Sequence, residues 1–153
     1  MRTRLAASAA ASVLFLLACA TPAMTVLTSS GQREEEMWGA VLLLMGWLGA
    51  FTFQLGWYAN PLLVLTLILL LMGKDRGAIW TGVAASLLGL SSLSWYFNPV
   101  PANEGGGQDL NLLYPSIGFY LWMFSLLLGP ITAYELSQRD AATRAAVAPP
   151  TAA

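Results

Sequence analysis

The side chains in this chain that could do chemistry fall in a few short stretches. One is "NPVPANEGGGQD", where Asn103, Glu104, three glycines, Gln108 and Asp109 follow two prolines. Glycines let backbone approach a ligand or adopt positive φ, and carboxylates supply oxygen ligands, so a weak cation site is conceivable here. The spacing is not that of an EF-hand, nor of a phosphate-binding loop, which needs a lysine and a following helix. A plain flexible loop between helices is the simpler and preferred account. Another stretch is Glu34, Glu35 and Glu36, which reads as a solvated charge run preceding a membrane helix, whose N-terminus favours acidic groups. A third is "FQLGWYANPLL", residues 53 to 63, which sets Gln54, Asn60 and Pro61 inside an otherwise apolar run.

What is missing narrows the chemistry further. The chain has no histidine and one cysteine, Cys19. That removes most metal-ligand sets, the Ser–His and Cys–His nucleophile pairs, and any internal disulfide. We expect no catalytic residue, no metal and no cofactor, hence no enzyme. Net charge is −1 with no basic stripe, so nucleic acid is not an expected partner.

The elements that must carry these residues follow from hydropathy. Of 153 residues, 57% are apolar and 10% charged, whereas soluble domains are nearer a quarter charged. Lipid must therefore be the solvent for most of the chain, and the expected fold is all-α, a polytopic membrane protein with four or five membrane helices. Residues 1–27 form a signal-like segment or first membrane helix, with Arg2 and Arg4 ahead of the apolar run. "LLAC" before Cys19 also resembles a lipoprotein-processing box, against the simpler reading of an uncleaved anchor. Residues 28–36 are a polar connector. Residues 37–135 form the membrane helical domain, with spans at 37–73, 78–97 and 114–135 and an outer loop at 98–113. Residues 136–153, rich in Ala and Pro, form a disordered cytoplasmic tail with nothing to bury.

The block 37–73 poses a topology problem. Its 37 residues reach about 55 Å as helix, while two crossings need about 60 Å. Pro61 starts a helix well but cannot continue one. With two crossings and the N-terminus inside, only Arg2 and Arg4 of the seven basic residues lie inside; reversing the chain places five inside but exports that arginine pair. If residues 61–73 re-enter and return, six lie inside and only Arg33 outside, which satisfies the positive-inside rule. Re-entry has a cost, because non-helical backbone at membrane depth must be satisfied by protein or water. A short crossing, tolerated by local thinning, competes with it.

Small residues four apart mark close-packing faces: Gly46 with Ala50, Ala78 with Gly82 and Ser86, and Ala85 with Gly89. Tyr114 suits the headgroup layer, while Tyr120 and Trp122 sit deeper and either pack against a neighbour or floor a cleft beneath the loop.

The segments "GWLG…WYANPLL", "NEGGG" and "GFYLW", in this order, resemble a group of small bacterial multi-pass inner-membrane proteins with no assigned activity. The likeness covers roughly residues 37 to 125. It implies a bacterial inner-membrane fold and supplies no catalytic residue.

Together these features point to a structural or accessory membrane subunit. It would sit in the lipid bilayer and bind itself or a membrane-protein partner through small-residue helix faces. The alternative is a small-solute or cation-binding membrane protein using Asn60, Asn103, Glu104 and Asp109 where they converge on the outer side, with Tyr120 and Trp122 beneath.

Overall fold

The computed structural model describes residues 1–28, 33–101 and 109–147. Helix α1, Arg2–Cys19, is followed by strands β1 (Pro22–Thr28) and β2 (Arg33–Trp38). Helix α2 (Gly39–Met45) then runs into two 3-10 segments, Gly46–Thr52 and Leu55–Tyr58. Helices α3 (Ala59–Leu71) and α4 (Asp75–Ser91) come next, then a 3-10 turn at Ser92–Tyr96. Strands β3 (Val100–Pro101) and β4 (Asp109–Pro115) lead into the long helix α5, Ile117–Val147.

The segments Arg2–Cys19, Asp75–Tyr96 and Ile117–Ala146 are long and apolar enough to cross a membrane. Two shorter apolar segments, Gly39–Thr52 and Leu55–Leu71, accompany them. Helix α3 has 13 residues, about 20 Å of rise. Pro61 lies in its first turn, where the missing N–H has no helical partner to lose.

The all-α expectation is corrected by an antiparallel sheet in the order β2-β1-β4-β3, of which β3 is only two residues. Residues 22–27, expected to close the first membrane helix, belong to β1, one of its two inner strands. Thr21 precedes Pro22 and is thereby driven towards extended backbone, so the helix stops at Cys19. The acidic run is an edge strand, with Glu36, Glu35 and Glu34 opposite Thr25, Val26 and Leu27. Charge on an edge strand blocks sheet-to-sheet aggregation while β1 stays inside. The end of the expected outer loop, with Tyr114, belongs to β4, paired with β1 through Val26↔Leu112 and Thr25↔Tyr114. The tail expectation is corrected for residues 136–147, which continue α5 to Val147; residues 148–153 lie outside the described residues.

Everything at the sheet end packs on one apolar cluster, Met24, Val26, Trp95, Leu112 and Phe119. The opposite end closes on Leu70, Ala78 and Ala133. There Arg4 forms an ion pair with Asp75, its Nη2 donating to Oδ2 at 2.9 Å, and also donates to the Leu70 carbonyl at 3.1 Å. The N-terminus, the 73–76 turn and the latter part of α5 therefore share one end. Six of the seven basic residues lie there, and Arg33 lies on the sheet.

Block 37–73 thus passes once from the sheet end of the bundle to the opposite end. Gly39 abuts Ala18 and Cys19 at the sheet end of α1, and Gly56 abuts Ser92 at the sheet end of α4. Residues 39–58 fold back on themselves at that end, and α3 alone carries the chain across. Of the two readings left open for residues 61–73, the return within them is not seen: Ala59–Leu71 is one continuous helix, and the hairpin precedes it.

Candidate functional site

The Gly39–Tyr58 hairpin is closed by contacts that need its particular residues. Trp57 Nε1 donates to the Leu43 carbonyl at 2.7 Å, and the Gln54 backbone N–H donates to the Gly49 carbonyl at 2.7 Å. A Cβ on Gly46 would lie 2.6 Å from the Trp57 ring, so only glycine admits the indole. Phe53 makes the turn with φ 57°, a left-handed conformation that costs a non-glycine residue about 1–2 kcal/mol. Gln54 then ties the tip to the end of α4: its Nε2 donates to the Asn98 carbonyl at 3.2 Å and its Oε1 accepts from Ser94 at 3.1 Å.

Between this hairpin, the sheet and the sheet-end termini of α1 and α5 lies a cavity of about 480 Å³. Phe15, Met24, Met37, Leu42, Trp95 and Phe119 dominate its wall, with Cys19, Gln54 and Asn60 among the few polar contributions. Asn60 Oδ1 accepts from Trp122 Nε1 at 2.9 Å, which fixes the start of α3 against α5. "WYAN" is therefore a polar bend held by protein, with Asn60 half-buried.

Of the residues singled out from sequence, Asn60 and Trp122 meet at this cavity. Tyr120 is exposed on the outer surface of α5, and its ring touches Phe119. Asp109 begins β4 opposite Pro101, on a different element from Asn60. Asn103 and Glu104 lie outside the described residues. Among the described residues no group of three or more His, Cys, Asp or Glu could hold a metal ion.

Ala78, Gly82, Ser86 and Gly89 are buried along α4. A Cβ on Gly82 would meet the Pro130 ring at 2.6 Å, and one on Gly89 would meet Leu126 at 2.7 Å. Gly46 and Ala50 do not share a face. They lie in a 3-10 segment, where residues three apart eclipse and residues four apart diverge, so Ala50 is exposed.

Sequence reasoning missed the cavity and the Arg4–Asp75 pair. Both basic N-terminal residues suit a leader, and Asp75 sits in what reads as a short connecting loop. The spacing Gly46–Gly49 followed by Gln54 was the available signal for the hairpin. No family model, curated protein or solved structure matches this chain.

Proposed function

We propose that this chain is a non-catalytic, multi-pass protein of the bacterial inner membrane that acts as a structural or accessory subunit. In this arrangement the sheet faces outward, and the end bearing Arg2, Arg4, Lys74, Arg76, Arg139 and Arg144 faces the cytoplasm, as the positive-inside rule favours. The observation that carries the role is how the polar side chains within the apolar body are engaged. Thr66 Oγ1 lies 2.9 Å from Thr81 Oγ1 between α3 and α4, Gln54 Oε1 accepts from the Ser94 hydroxyl, and Asn60 Oδ1 accepts from Trp122 Nε1. Such groups hold helices together where lipid provides no hydrophobic drive.

The test is extraction from native membranes in mild detergent. The chain should migrate in a larger complex than the purified chain does, Gly82→Leu should diminish that complex, and Glu104→Ala with Asp109→Ala should leave it intact. Migration of the native extract at the size of the purified chain overturns the subunit role.

A further inference from the structure

The cavity under the sheet has the size and lining of a ligand site, which no part of the structural role requires. Its 480 Å³ lies within the range of about 300–1,000 Å³ found for small-molecule sites. Ordered water needs several polar partners, and this wall offers few. Met24, Met37 and Met45 line it, and methionine adapts to irregular apolar shapes better than branched residues do.

Its connection to the outside is specific. Met45 and Leu48 line the cavity and are also 60% and 43% exposed, so the hairpin is a single-layer wall there. Trp47, Phe51 and Phe53 on the same segment are exposed as well, which is the surface of an element facing lipid. That wall is a 3-10 run followed by Phe53 in the left-handed region, and 3-10 hydrogen bonds have poorer geometry than those of an α-helix.

We propose that this cavity holds one acyl tail of a bilayer phospholipid, admitted sideways from the membrane past the Gly46–Thr52 wall. The tail enters end-first, and the headgroup stays at the membrane surface.

The sole cysteine and the three cavity methionines make the site addressable by mass spectrometry. The full chain is reconstituted in phosphatidylcholine vesicles carrying a phospholipid with a photoactivatable diazirine at the tail terminus, and the adducts are mapped. Adducts are expected at Cys19, Met24 or Met37 as well as at lipid-facing Trp80 and Leu87. Leu42→Trp, which fills the cavity, should abolish the inner adducts and leave those at Trp80. Met37→Ala, which enlarges the cavity, should keep those at Cys19 and Met24, and this control remains readable should Leu42→Trp misfold. Adducts confined to Trp80, Leu87 and other outward residues overturn the proposal. So does loss of the inner adducts when free palmitic acid is added at a small fraction of the phospholipid, since the occupant is then a fatty acid.

Discussion

Replacing Arg4 by Gln and Asp75 by Asn, singly and together, tests how the first helix is held. The two side chains are 16% and 12% exposed, and the pair stands between α1 and the turn joining α3 to α4. Removing one partner of a buried ion pair costs about 3–5 kcal/mol, because the other charge is left uncompensated. The residual exposure and the position at the bundle end reduce this to about 2–3 kcal/mol for Asp75→Asn. Arg4→Gln also loses the bond to the Leu70 carbonyl, which adds roughly 1 kcal/mol. The double variant leaves no orphan charge, so it should fall short of the summed single effects by about 2 kcal/mol. Arg4→Lys keeps the charge and loses the two-pronged fork, so it should lie between wild type and Arg4→Gln. Unfolding by SDS in mixed micelles, followed by tryptophan fluorescence, measures each corner of the cycle. Additivity within about 0.5 kcal/mol would mean that the two groups do not touch in the folded protein, and the reasoning would be refuted.

Other perturbations read other parts of the fold. Gly82→Leu should destabilise by about 1–3 kcal/mol or more, because its side chain must displace the Pro130 ring, and the same SDS titration reads it. Gly73 has φ 74° and open space around it, so Gly73→Ala should cost about 1–2 kcal/mol through backbone strain alone, without changing the adducts at the cavity. Thr66→Val removes the hydroxyl shared with Leu62 and Thr81. The expected loss is about 0.6 kcal/mol, the average for such bonds between membrane helices, and a loss above roughly twice that would show that the hydroxyl does more than bridge two helices.

The apolar blocks, the charged stop at Lys74–Arg76 and the small-residue face of α4 were all legible, because each follows from composition over many residues. The sheet was not. Strand β1 reads "PAMTVLT", as apolar as the helix before it, and only Pro22 separates the two. Strand β2 carries three glutamates, which are poor strand formers by propensity and are placed there by an edge position that keeps them in water. The end of α5 was hidden for the opposite reason. "DAATRAAV" has nothing to bury, but alanine is the strongest helix former, and a helix already nucleated by packing extends through it cheaply. Asn60 and Trp122 were both noted, yet 62 residues separate them in sequence, and nothing short of the fold pairs them.

The polar residues that interrupt the apolar block have a common physical origin. A chain that leaves α-helical geometry beside lipid strands carbonyls and amides that no water satisfies. Each break in this block is accompanied by a side-chain hydrogen bond that ties it to a neighbouring segment. Trp57 reaches the Leu43 carbonyl, Gln54 reaches Asn98 and Ser94, and Trp122 reaches Asn60 at the point where α3 begins. These bonds fasten the hairpin at its base and tip, and within Met45 to Thr52 the Gly49 carbonyl accepts from the Gln54 backbone N–H while Gly46 abuts the Trp57 ring. Met45 and Leu48 of that stretch line the cavity and are also exposed. The residues that bond the hairpin therefore also fix one wall of the cavity, and hydropathy alone, which scores Gln54 and Asn60 only as interruptions, registers neither effect.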